Sequence, residues 1–327
     1  MNIPDAPPEN GLTPRALKDA FVVGRQILSP HNLVRRFSPS TGTSQPPLGR
    51  LGSLEVKLAA SAGEVRRAQA LRYHVFFQEM SAQSDLLSRR LRRDADRFDR
   101  ICDHLLVLDH AAADGSLLGS RPPVVGTYRL LRDDVAHRNG GFYTAGEFDI
   151  APLIAREPSL RFLELGRSCV LAPYRNKRTV ELLWHGVWSY VLAHGVGVMV
   201  GCASLEGTDP ERLALELSFL YHHALAPEQW RVRARDHLHV EMNRMPASAV
   251  DARATLRALP PLVKGYLRLG AFVGDGAVID RQFGTTDVCI ILPVSAIRSR
   301  YVDYYGADAS RHAIRLPEPR DPPLAAA

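Results

Sequence analysis

The sequence predicts an α/β domain on a mixed sheet, and three observations carry that reading. An alternating apolar run at residues 54–58 is followed by apolar residues at helical spacing, with Val65, Ala68, Leu71, Val75 and Phe76 on one stripe. Residues 176–194 then read as an amphipathic helix between strand-like runs at 161–171 and 197–203. A late apolar run at 286–293 supplies one more strand.

Taken in order, 54–58 is a strand and 61–77 a helix. Residues 104–109 and 124–131 are short strands, expected to be antiparallel neighbours across a connection containing Gly and Pro. In the helix at 176–194, Val180, Leu183, Trp184, Val187, Trp188, Val191 and Leu192 form the apolar stripe, and Gly195 supplies a stop. Residues 210–224 read as a further helix.

A chain of 327 residues, 46% hydrophobic, buries at least one substantial core. Residues 51–306 are expected to form the main domain with a C-terminal extension. Residues 1–50, rich in Pro, Ser and Gly, read as a flexible tail with an amphipathic stretch at 16–37, and residues 307–327 as a disordered tail. There is no apolar run of membrane-spanning length and no basic-then-apolar leader pattern, so a cytoplasmic location is expected, with transient contact to the inner membrane face through 16–37. Cys102, Cys169, Cys202 and Cys289 are scattered, giving neither zinc spacing nor a disulfide framework. His222, His223, His237 and His239 lack accompanying ligands, and no metal is expected.

The formal charge of +6 favours an acidic partner. Nucleic acid is not expected, because the basic residues are interleaved with acids and no nucleic-acid motif is visible. Arg175, Asn176, Lys177 and Arg178 precede or open the helix at 176–194, where free amides and the helix dipole attract phosphate. The alternative is a basic surface loop. Arg89, Arg90, Arg92 and Arg93 are either a docking surface or a solvated helix face.

Glu164, Leu165, Gly166 and Arg167, continuing through Ala172, Pro173 and Tyr174 to Arg178, resemble the donor-binding centre of GNAT acyltransferases. Arg178 stands where that family's coenzyme A loop has its first glycine, which favours a donor carrying a single phosphate. Arg72 to Phe76, Asp96 to Asp99, Gly126 to Arg129 and Glu164 to Arg167 are similar to motifs of acyl-homoserine lactone synthases. Further segments, including Cys102 to Leu106, Gly140 to Tyr143, Phe148 to Pro152, Glu241 to Arg244, Leu259 to Gly270 and Phe283 to Asp287, resemble bacterial ornithine lipid N-acyltransferases over residues 54–306.

That resemblance implies a GNAT-like fold, with a mixed, mostly antiparallel sheet flanked by helices. It implies transfer of a 3-hydroxyacyl group from acyl carrier protein to the α-amine of L-ornithine, forming a lyso-ornithine lipid. The only cofactor-like group would be the phosphopantetheine arm of the donor. Within it, Glu164 is the amine's proton acceptor, directly or through water, or else a structural partner of Arg167. Arg129 and Arg167 suit the substrate carboxylate; Asp96, Asp99 and Asp103 suit its side-chain ammonium, the last two facing one way if their turn is helical. Arg72 and Phe76 join the substrate site by resemblance. The amides of Val170, Leu171 and Ala172 are the expected oxyanion donors. Tyr221 either protonates the departing thiol or is a packed aromatic. The rival readings are an acyl-homoserine lactone synthase and a non-catalytic module binding carrier protein or membrane.

Overall fold

The structure, a computed structural model, describes residues 46–80, 82–112 and 121–297. The amphipathic stretch at 16–37 and the tail after 306 lie outside them.

β1 (Gly49–Leu51) and β2 (Leu54–Leu58) form a hairpin. Ser61 then starts α1 (Ala62–Tyr73) by accepting from the Glu64 amide, and the helix runs on as a π-helical turn to Glu79. Asp85 caps α2 (Leu86–Leu91) in the same way, and Arg92 ends it at φ 48°. β3 (Asp103–Asp109) and β4 (Val124–Arg132) pair antiparallel, as expected.

After α3 (Asp133–Arg138), β5 (Phe148–Asp149) and α4 (Ala151–Arg156) comes β6 (Phe162–Val170). It feeds the long α5 (Lys177–His194), capped by Asn176 and stopped by left-handed Gly195. β7 (Val198–Glu206) follows, then α6 (Ala214–Ala224), β8 (Arg233–Ala234), α7 (Ala252–Ala258), α8 (Pro261–Leu269), β9 (Phe272–Asp280) and β10 (Thr285–Pro293).

The ten strands lie in the order β1-β2-β3-β4-β6-β7-β10-β9-β8-β5. The pairs are antiparallel except β6 with β7 and β8 with β9, so the sheet is mixed and mostly antiparallel, as expected. α1 covers one face, with Ala68 on Leu106 and Leu108 and with Leu71 and Val75 on Cys169. α5 covers the other so closely that a β-carbon on Gly186 would come within 3.0 Å of Val56 and Leu105.

β6 and β7 govern the site. Their parallel pairing runs only from Phe162–Val198 to Glu164–Val200, while β7 stays paired with β10 along its whole length. Past Glu164 the two strands therefore part. Gly201 marks the divergence, where a β-carbon would meet the Leu165 carbonyl at 2.3 Å. A small cavity of about 10 Å³ lies there, lined by Leu165, Gly201, Cys202 and Tyr266 among others.

Candidate active site

On the α1 face of β4 and β6, three arginines meet three aspartates. Arg72 is 1% exposed, and its guanidinium donates to Asp94 Oδ2 at 2.8 Å and to Asp99 Oδ1 and Oδ2 at 2.7 and 2.9 Å. Arg129 Nη1 lies 2.7 Å from both oxygens of Asp96. Arg167 reaches Asp94 at 3.3 Å and Asp96 at 3.4 Å. Asp96 also caps the 3-10 turn Arg97–Arg100, with Asp99 returning to the Asp96 amide. Burial works against an ionised Asp99, but the hydrogen bonds and charge of Arg72 override it and hold this carboxyl well below the usual range.

A bulge sets the aim of Arg167. β6 carries one more residue than β4 between the Cys169–Thr127 and Gly166–Arg129 pairs, and Arg167 in that interval has φ 50°. Its guanidinium lies 5.0 Å from the Tyr143 ring centre and 4.8 Å from that of Phe283. Phe76 meets Phe283 edge to face at 5.6 Å, which brings α1's end to the same place. Arg72, Phe76, Asp96, Asp99, Arg129 and Arg167 thus gather, with Asp94, which sequence reasoning missed.

Asp103 does not join them. It opens β3 and accepts from Tyr190 of α5 at 2.5 Å, on the opposite face of the sheet. The helical turn that would have aligned it with Asp99 ends at Arg100. Tyr221, half-buried, lies on α6, a helix that packs against β9 and α7, and its ring meets that of His222 edge to face at 5.3 Å.

Glu164, 5% exposed, does not pair with Arg167. Its oxygens accept from the amides of Tyr143 and Thr144 at 3.0 and 2.7 Å, tying the 143–146 turn to β6. Burial nevertheless raises its pKa, outweighing those bonds. Beside that turn, Glu147, Asp280 and Asp287 bring carboxylate oxygens within 4.8 Å of one another. Burial and the Asp287 charge push Glu147 up to about 7.

At the far end of β6, Leu171 N donates to Val125 O at 2.9 Å, so this amide is occupied and is withdrawn from the expected oxyanion donors. Val170 pairs with Gly126 in the wide register, which turns its N–H away from β4 toward the side where β7 has departed. Its carbonyl accepts from Arg175 Nε at 2.9 Å, and Arg175 also pairs with Glu79. Ala172, Lys177 and Arg178 are exposed, and the Asn176 side chain accepts from Thr179 N at 3.2 Å. Arg178 reaches back over Gly52.

A mixed sheet with two diverging parallel strands, and a capped helix beginning just beyond the first, defines an acyltransferase of the GNAT type. Residues 71–185 match the family described as acetyltransferase (GNAT) domain. The L-ornithine N(alpha)-acyltransferase of Rhizobium meliloti is 55% identical over 81% of this chain and 88% of its own. The protein of that name from Brucella abortus is 54% identical over 81% and 92%. The chain belongs to the L-ornithine N(alpha)-acyltransferase family. Among solved structures, FeeM, an N-acyl amino acid synthase from uncultured soil microbes, aligns over 74% of this chain and 91% of its own, at 9% identity and a TM-score of 0.41.

Proposed function

We propose that this chain transfers a 3-hydroxyacyl group from acyl carrier protein to the α-amine of L-ornithine, giving a lyso-ornithine lipid. The observation that carries the reading is identity of 55% over 81% of the chain to a protein named for that acceptor and that nitrogen. Arg167 takes the substrate's α-carboxylate from its place between the Tyr143 and Phe283 rings, and Asp96, the most exposed of the three network aspartates, takes the side-chain ammonium. Arg72 and Arg129, both buried and engaged, hold those acids in place. The Val170 amide, facing the gap between β6 and β7, donates to the oxyanion, helped by that of Ala172. Asp103 and Tyr221 are given no part in the chemistry.

For the donor, the exposed Lys177 and Arg178 at the start of α5 favour an acidic carrier and the single phosphate of its pantetheine arm. A second surface bears on the product. Leu86, Leu87 and Leu91 of α2 are 84%, 66% and 44% exposed beside the exposed Arg89, Arg90 and Arg92. Apolar side chains among cations suit an anionic lipid surface, and a single-chain amphiphile would leave the enzyme onto one. No helix among the described residues is long and apolar enough to cross a membrane. The location proposed, on the strength of this surface, is a peripheral one on the cytoplasmic face. Incubation with 3-hydroxyacyl carrier protein and ornithine should yield the acylated amino acid by mass spectrometry; its absence with active donor present would refute the reading.

A further inference from the structure

Two carboxylates flank the point where β6 and β7 part, and they are held in opposite ways. Glu164 accepts a backbone amide on each oxygen, so taking a proton from substrate would weaken the bonds that fix the 143–146 turn. Glu147 has its own peptide fixed, its N–H to Thr144 O at 3.0 Å and its carbonyl accepting from Arg235 N at 2.9 Å. Its side chain turns to β7, where among the described residues Oε2 accepts from the thiol of Cys202 at 3.3 Å and from no other group. A thiol is a weak donor that an amine readily displaces.

Position agrees with availability. Cys202 stands just past Val200, the last β7 residue paired with β6, and Arg167 just past Glu164 on the other strand. The carboxylate lies beside Cys202 of β7, Asp280 of β9 and Asp287 of β10, and the charge of Arg167 on β6 and the hydroxyl of Tyr143 from its own turn also act on it. An amino acid whose carboxylate rests on Arg167 has its α-nitrogen one carbon away, and a nitrogen directed from there toward β7 would meet Glu147 beside Cys202.

We propose that Glu147, and not Glu164, accepts the proton of the attacking amine. Asp287, its neighbour in the carboxylate cluster, sets the pH at which it does so. The inference rests on the acyl-transfer reading above. The α-ammonium loses one proton to Glu147, the neutral nitrogen adds to the thioester carbonyl, and the carbon–sulfur bond breaks with its electron pair on sulfur. The second nitrogen proton goes to the departing thiolate, and Glu147 releases its proton to water.

The test is the pH profile of ornithine acylation by the full chain, wild type against Glu147→Gln, Glu147→Asp and Asp287→Asn. Wild-type turnover is the first readout; if it is absent, the acyl-transfer reading fails and this inference with it. Given turnover, Glu147→Gln should lower kcat about 100-fold at a melting temperature at pH 5 no lower than that of wild type, and Glu147→Asp should restore part of it. Asp287→Asn should move the rising limb of kcat to lower pH, because a like charge is removed. The substrate amine titrates on a similar limb, but that limb would persist in the residual turnover of Glu147→Gln, whereas one belonging to Glu147 would be lost, so this variant separates the two. Turnover of Glu147→Gln within twofold of wild type, or a limb that Asp287→Asn leaves in place, would overturn the assignment.

Discussion

Glu164 and Arg167, three positions apart on one strand, serve the same face of the sheet because the bulge in β6 absorbs the odd residue between them. In a regular strand their side chains would alternate to opposite faces. Arg167→Ala should therefore lower turnover at least tenfold through loss of the carboxylate partner. Arg167→Gly should be equally inactive yet melt higher than the alanine variant, since glycine relieves about 1 kcal/mol of left-handed backbone strain. Equal melting temperatures would count against the bulge as the device that aims this residue.

Glu164→Gln replaces an acceptor of two amides by a group with one oxygen, leaving a buried N–H facing an NH2. A loss of about 1–3 kcal/mol is expected, read by denaturant titration, with turnover reduced through a loosened 143–146 turn. A variant as stable as wild type would show that the turn is held by something else.

Glu147 has the opposite stability signature. Its folded pKa of about 7 lies above its ordinary value of 4.5, so between those values the native state binds the extra proton and stability falls as pH rises. Glu147→Gln should thus stabilise the fold at pH 8 by up to about 3 kcal/mol and at pH 5 by less than about 1 kcal/mol. Thermal melts at the two pH values check the sign.

The donor surface answers to salt. Lys177→Glu with Arg178→Glu should raise KM for acyl carrier protein several-fold with little change in kcat. It should also flatten the response to raising salt from 0.1 to 1 M, over which the screening length falls from about 10 to about 3 Å. These two are preferable to Arg175, whose bonds to Val170 and Glu79 make it part of the loop's structure.

For membrane contact, Leu86, Leu87 and Leu91 changed to serine should reduce flotation with anionic vesicles while leaving turnover of soluble substrates intact. Unchanged flotation that vanishes on deleting residues 1–50 would return the contact to the amphipathic stretch at 16–37.

What the sequence revealed followed its strongest signals. On α5, Leu183, Trp184, Val187, Trp188 and Val191 of the expected stripe are buried, whereas Val180 and Leu192 near its ends are 45% and 51% exposed; the Asn176 and Gly195 ends were legible because capping is local. β9 was not, since Gly274 and Gly276 interrupt its apolar pattern. In the sheet, Gly274 is needed because a β-carbon would come within 2.8 Å of Val232 O, and Gly276 sits at φ 84°. Most of the arginine and aspartate network was legible by resemblance, but Asp94 and Glu147 lie outside the motifs, and only the fold brings them to Arg72 and Cys202. Leu171 looked available because a sequence does not reveal which side of a strand end keeps its partner.

The central claim is acyl transfer to the α-nitrogen of ornithine, and tandem mass spectrometry of the product tests it most directly. With 3-hydroxyacyl carrier protein and ornithine, the fragments should place the acyl group on the α-nitrogen and leave the δ-amine free, as expected if Arg167 anchors the carboxylate beside the reacting amine. An acyl group on the δ-nitrogen, or no acylated ornithine while another amino acid is turned over, would contradict it.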